Sequence, residues 1–302
     1  MGLDADLLVD RRRLKRGLAL WRIVAIVGIA VLAVVALGRA GGFPARDHVA
    51  RLTVDGLVVA DRDVLAAIDA VAEDESAKAL LVAIDSPGGT FVGGESLHDA
   101  LRRVAAVKPV VALMGTLATS GGYMVALAAD RIYAYEGTIT GSIGVILQTA
   151  EFTRLLDKLG IRAEAIKSAP LKATPSPLEP LTEQTRAEIQ AVIDDMYGRF
   201  KAMVAERRGL DPARVRALAD GRVFTGRQAL ADGLIDAIGA EHEARGWLAE
   251  SRGVSEDLPV IDVEVRQPID ELLASVKGLS KNMVFSERLS LDGLIALWHP
   301  SG

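Results

Sequence analysis

LLVAIDSPGGTFVGGESLHDALRRVAAVKPVVALMGTLATSGGY, residues 80–123, places a short apolar run, a turn, an amphipathic segment and a second apolar run in succession. Leu80–Ile84 is too short for a buried helix and reads as a strand, closed by the breaker Asp85-Ser86-Pro87-Gly88-Gly89. Gly94–Val107 has helical spacing, and Val110–Met114 reads as the next strand. Two strands joined by a helical crossover run parallel, so this segment predicts an α/β domain. Working outward, the same rhythm continues. Val49–Val59 reads as a strand and Arg62–Ala72 as a helix; after Ser120 a short helix runs to Ala129. Arg131–Tyr135 and Ile143–Leu147 are expected strands around a loop at Gly137–Ser142. A helix at Phe152–Leu159 and a strand at Arg162–Lys167 follow. Pro170, Pro175, Pro177 and Pro180 make Ser168–Leu181 neither helix nor central strand. Glu183–Arg208 is a long helix, Asp211-Pro212 opens the next, and Thr225 with Gln228 forms a capping box for a helix that Gly233 ends. Val260–Val265 is the last expected strand.

With 302 residues, half of them hydrophobic, the chain can bury a sizeable core. A net charge of −5 gives no support for nucleic-acid binding, which favours a basic surface. Cysteine is absent, which excludes disulfides, thiolate nucleophiles and Cys-ligated zinc. His48, His98, His242 and His299 are scattered without metal-ligand spacing and suggest no metal site.

Residues 18–38, LALWRIVAIVGIAVLAVVALG, carry Arg22 as their one charge. At about 1.5 Å per residue such a helix reaches roughly 30 Å, the thickness of a bilayer core. Arg11, Arg12, Arg13, Lys15 and Arg16 precede it and, by the positive-inside rule, hold the N-terminus in the cytoplasm. The expected organisation is a basic cytoplasmic segment (1–17), a transmembrane anchor (18–38), a linker (39–48), a globular domain outside the cytoplasm (49–267) and a C-terminal tail without an assigned role (268–302). A cleaved signal peptide is the competing reading, against which stand the length of the apolar run and the poor cleavage site at Leu37-Gly38-Arg39-Ala40.

Ala118-Thr119-Ser120-Gly121-Gly122-Tyr123 puts a serine between an expected strand and an expected helix. A serine hydroxyl needs a base to become a nucleophile. Alone, the hexapeptide favours the plainer reading, an N-cap followed by packing glycines. Gly88 and Gly89 follow a proline, where two glycines can turn amides into a cleft as an oxyanion hole requires, or simply form a strand-to-helix turn. A lysine acts as a base only when neutral, and burial among apolar groups without a carboxylate favours that form. Lys167 and Lys172, beside the proline-rich loop, best suit such burial; composition does not separate them. His98 has no evident partner for a Ser–His–Asp arrangement.

Taken together, IDSPGG (84–89), ATSGGY (118–123), TGSIGV (140–145), IKSAPLK (166–172) with SPLEPLT (176–182), and RVFTGRQALADGLID (222–236) resemble the signal peptide peptidase A family. The resemblance runs from about Val49 to Gly239 and is to the short, single-repeat form. It implies a ClpP/crotonase-like fold of stacked ββα units behind one N-terminal transmembrane helix. It implies a serine endopeptidase of the bacterial inner membrane that degrades remnant signal peptides and similar apolar peptides. By position, Ser120 resembles the nucleophile, Lys172 the general base and Ser142 the hydroxyl that orients the lysine. The amides of Gly88 or Gly89, with Gly121, resemble the oxyanion hole. Short-form relatives assemble as homo-oligomeric rings, in the family's pattern octamers, with each Ser–Lys dyad shared between neighbouring protomers. Two other readings keep the fold: a crotonase-like acyl-CoA enzyme and a catalytically inactive membrane scaffold. A further one keeps the chemistry and changes the substrate to membrane or phage proteins.

Overall fold

The computed structural model describes residues 21–29 and 46–265, and the backbone of 295–297. The chain divides into two compact units, Met1–Arg46 and Asp47–Gly302. In the first, residues 21–29 form helix α1. Among the described residues no helix is long and apolar enough to cross a membrane. The expected anchor extends on both sides of α1 into residues outside the described ones, as does most of the expected tail.

The second unit is mixed α/β. Its elements are β1 (His48–Val58), α2 (Arg62–Glu73), β2 (Ala77–Thr90), α3 (Phe91–Ala105), β3 (Val110–Thr119), α4 (Gly121–Leu127) and β4 (Arg131–Ala134). β5 (Ile139–Gly141), α5 (Thr153–Lys158), α6 (Glu183–Arg208), α7 (Pro212–Leu218), β6 (Val223–Thr225), α8 (Gly226–Ala231), β7 (Ala237–Ile238), α9 (Glu241–Arg252), β8 (Val260–Asp262) and β9 (Ile295–Leu297) follow. β8, β1, β2, β3, β4 and β7 lie side by side, all parallel. The strands alternate between two cores. Leu80, Val82 and Ile84 face one, with Leu97 and Leu101 of α3 and Phe200 of α6. Ala79 and Leu81 face the other, with Ala244 and Leu248 of α9. Burial on both faces explains the near-continuous apolar runs of β2 and β3.

The sheet does not stay flat. Register shifts fall between Asp55 and Leu57 on β1 and between Ile84 and Ser86 on β2, so a bend crosses neighbouring strands at one level. Such bulges re-aim a strand. Below the bend Val111–Met114 of β3 pairs with β4; above it Leu117–Thr119 pairs with β5, which pairs antiparallel with β6. The expected turn at Asp85–Gly89 is therefore the upper part of β2, and the expected loop at Gly137–Ser142 contains β5. Conversely, Ile143–Leu147 and Arg162–Lys167 are not strands. Residues 162–166 are all exposed and meet no sheet edge among the described residues, so their alternation has nothing there to pair with. Helix starts follow their caps: Thr182, Asp211 and Thr225 each accept a backbone N–H, and Gln228 completes its capping box.

His98 of α3 is 7% exposed, and its Nε2 has no hydrogen-bond partner among the described residues. Nδ1 lies 2.9 Å from Asp99 Oδ1. Burial pushes the imidazole below its ordinary value of 6.5; Asp99 opposes this, while Arg207 and Arg102 add to it. The folded state thus prefers the neutral ring, and the unfolded chain takes up its proton at higher pH. This contribution to stability is present above about pH 6.5 and is lost as the pH falls below it. Between pH 7 and pH 5 the Tm of the wild type should drop further than that of His98→Gln; parallel drops would refute the assignment.

Candidate active site

The C-terminal end of β3 carries Ser120 into α4 at φ 54° and ψ −117°, a conformation uncommon for a residue with a Cβ. Strain of this kind costs about 1–3 kcal/mol and persists only where the surroundings impose it. Here the Ser120 N–H donates to Gly141 O at 2.8 Å and its carbonyl accepts from Met124 N at 3.0 Å. The residue is 1% exposed, and its Oγ neither caps α4 nor meets a hydrogen-bond partner among the described residues. A buried hydroxyl left unpaired costs about 1–3 kcal/mol. The N-cap reading of this serine is thereby set aside.

Against this turn lies the upper part of β2. Leu57 and Val58 of β1 pair with Gly88 and Gly89 so closely that a Cβ on Gly89 would stand 1.9 Å from Val58 O. Gly88 has φ 107°. A Cβ on Gly121 would be 3.2 Å from Gly89 N, so the Gly89 amide borders the Ser120-Gly121 turn. The Gly88 N–H, in contrast, donates to Ser86 Oγ at 3.1 Å. Asp85 is no triad member: its carboxylate accepts from the Thr116 and Leu117 amides at 3.2 and 3.1 Å and closes the bulge of β3. Gly88–Thr90 also pairs antiparallel with β9, the chain's own Ile295–Leu297.

Thr119 pairs with Gly141, so Ser120 and Ser142 occupy the next level of β3 and β5. Ser142 is buried at φ 50°, and its N–H donates to Arg222 O at 2.8 Å. Lys172 is elsewhere. It is exposed and makes no ion pair or side-chain hydrogen bond among the described residues, whereas Lys167 pairs with the Glu179 carboxylate. Between Ile143 and Phe200 only Thr185 is buried, while Phe152, Leu155, Leu159, Ile161 and Ile166 are exposed. A cavity of about 450 Å³ lies against this arm, lined by Ile146, Leu147, Pro175, Leu181, Ile189 and Ile193 among others. One protomer thus gathers Ser120, Gly121, Gly88, Gly89 and Ser142, and leaves Lys172 in solvent. Among the described residues no cluster suits a metal ion.

Residues 102–255 match the model of Peptidase family S49. The chain is also 39% identical over 249 residues to a protein of Synechocystis sp. named as a candidate protease, covering 82% of this chain and 89% of that one. The chain belongs to peptidase family S49. Protease 4 of Haemophilus influenzae is 32% identical over 208 residues, which cover 68% of this S49 chain and 34% of the longer relative. Among solved structures, a ClpP1 mutant from Listeria monocytogenes superposes with a TM-score of 0.43 at 17% identity, over 64% of this chain and 92% of that one. The family assignment makes the chain a protease and decides against the acyl-CoA reading.

Ser86 and Thr119, two buried hydroxyls of the candidate site, were given no role by the sequence reading. Their signal was their place inside IDSPGG and ATSGGY, but turn-forming serines and strand threonines are too common to mark.

Proposed function

We propose that this S49 protease is a membrane-anchored endopeptidase in which Ser120 is the nucleophile and Lys172 of a neighbouring copy is the general base. The observation that carries this reading is a pair of incomplete halves. Among the described residues Ser120 Oγ is buried without a partner, and Lys172 projects without an ion pair or side-chain hydrogen bond from an arm that keeps many apolar side chains exposed. Docking that arm on a second copy would cover its apolar side chains, each worth about 1.5–3 kcal/mol when fully buried, and supply the missing base. Ring assembly, an octamer on the family pattern, meets both needs. Lys167 is unsuited to the role because Glu179 keeps it paired.

The neutral lysine accepts the Ser120 hydroxyl proton as Oγ attacks a peptide carbonyl. The oxyanion is held by the amides of Gly89 and Gly121; Gly88 is committed to Ser86. The lysinium then protonates the departing amine as the C–N bond breaks. Water, losing a proton to the same lysine, attacks the acyl ester and frees the new carboxyl group, and Ser120 Oγ recovers its proton. Ser142 orients the amine. No metal or cofactor takes part.

Substrates are extended apolar peptides such as remnant signal peptides, added as an antiparallel strand to Gly88–Thr90. The chain's own Ile295–Leu297 on that edge supports the mode of binding. A chain ending at residue 265 should therefore cleave peptides several-fold faster at low substrate concentration; an unchanged kcat/KM would remove that support. Residues 18–38 anchor the enzyme with its catalytic unit outside the cytoplasm.

The reading is tested with a fluorophosphonate probe on the full-length assembly. Labelling at Ser120 is expected. Peptide cleavage by unlabelled protein that never reacts at Ser120 would refute it, and an inactive scaffold would neither label nor cleave.

A further inference from the structure

We infer that Ser86 and Thr119 are positioning residues that clamp the Pro87–Gly88 peptide and so aim the Gly89 amide at the oxyanion; this rests on the Ser120 reading above. The two ends of one peptide group are held from opposite sides. Its carbonyl, Pro87 O, accepts from Thr119 Oγ1 at 3.0 Å, and its N–H, on Gly88, donates to Ser86 Oγ at 3.1 Å. Ser86 Oγ has one proton to give, and Gly56 O takes it at 2.6 Å; Gly88 O lies farther off at 3.4 Å. Ser86 and Thr119 are both 0% exposed, so water does not compete for these bonds.

The clamp sits where the backbone is least able to hold itself. Gly88 at φ 107° and Gly56 at φ 68° flank the register shift between β1 and β2, and a glycine has many alternative conformations there. The orientation of the Gly88–Gly89 peptide, and with it the Gly89 N–H, follows from where the preceding peptide is fixed. Thr119 also adjoins Ser120 directly, so one side chain ties the nucleophile's strand to the amide's strand. Behind the turn, a Cβ on Gly122 would stand 3.1 Å from Ser86 O, which places Ser86 at the back of the site and away from substrate.

The inference is tested on full-length assemblies of Ser86→Ala, Thr119→Val and Thr119→Ser. Sites are counted by complete fluorophosphonate labelling, so that kcat is read per intact site. Loss of a single oxyanion donor typically lowers kcat by 10²–10³, and misaimed donors should lower it by about 10- to 100-fold. That fall is expected for Ser86→Ala and Thr119→Val, with KM within about twofold. Thr119→Ser, which keeps the hydroxyl, should return kcat to near wild type. Thr119→Val is nearly isosteric and carries the test if Ser86→Ala fails to fold. An unchanged kcat per labelled site in Thr119→Val, or equal losses in Thr119→Val and Thr119→Ser, overturns the clamp. Wild-type labelling at Ser120 and an inactive Ser120→Ala show that the underlying reading stands in either case; activity surviving in Ser120→Ala would bring down that reading instead.

Discussion

Ser120→Ala is expected to lower peptide cleavage by about 10⁴-fold or more, the scale seen when a serine nucleophile is removed from a peptidase. Stability should not fall with it. The wild-type Oγ is buried and unpaired in the protomer, so deleting it removes an unsatisfied group without breaking a bond. The Tm should hold or rise, the signature of a residue kept for chemistry at a cost in stability. Backbone strain at φ 54° remains in the alanine variant, because the Gly141 and Met124 hydrogen bonds that impose it do not involve the side chain. A fall in Tm matching the fall in activity would mean that Ser120 is structural.

The second large effect concerns the base. Lys172→Met keeps the length of the side chain and removes the amine, and should cost about 10³-fold in kcat. Lys172 is exposed and makes no ion pair or side-chain hydrogen bond among the described residues, and surface changes of this kind lie within about 0.5 kcal/mol. Lys167→Met is the matched comparison. It breaks the ion pair with Glu179 and should leave kcat within a few-fold. Reversal of these two results would exchange the roles of the lysines and detach the proposed base from the unpaired arm.

How far the sequence was legible depended on whether a segment's partners lie within the chain. The apolar runs of β2 and β3 and the capped helices α6, α7 and α8 were readable because their burial and caps are local or repeated. The bend was not. Continuation of β2 through Ser86-Pro87-Gly88-Gly89 depends on β1 lying within contact of glycine backbone, which no propensity encodes. Ile139–Gly141 became a strand because β3 splays above its bulge and offers an edge, whereas Arg162–Lys167, with better alternation, found none. At the site, motif positions marked Ser120 and the glycine pair. The choice of Gly89 over Gly88 required the Ser86 hydrogen bond, a contact within the turn that the letters alone leave open.

The arm from Ile143 to Phe200 shows the same logic at a larger scale. Its ends pack on the core through Val145, Met196 and Tyr197, yet Phe152, Leu155, Leu159, Ile161 and Ile166 between them stay exposed. Such exposure marks an interaction surface when it is contiguous with a functional group, and in the proposed reading that group is Lys172.

The central claim is that the serine and the lysine of each site come from two copies of this chain. Inactive Ser120→Ala and inactive Lys172→Ala chains, mixed in equal amounts and allowed to exchange subunits, test it directly. A site pairing an intact serine with a neighbour's intact lysine then arises in about one case in four, so about a quarter of wild-type activity should return. Mixed assemblies, verified by distinct tags on the two chains, that show no recovered activity would contradict the claim.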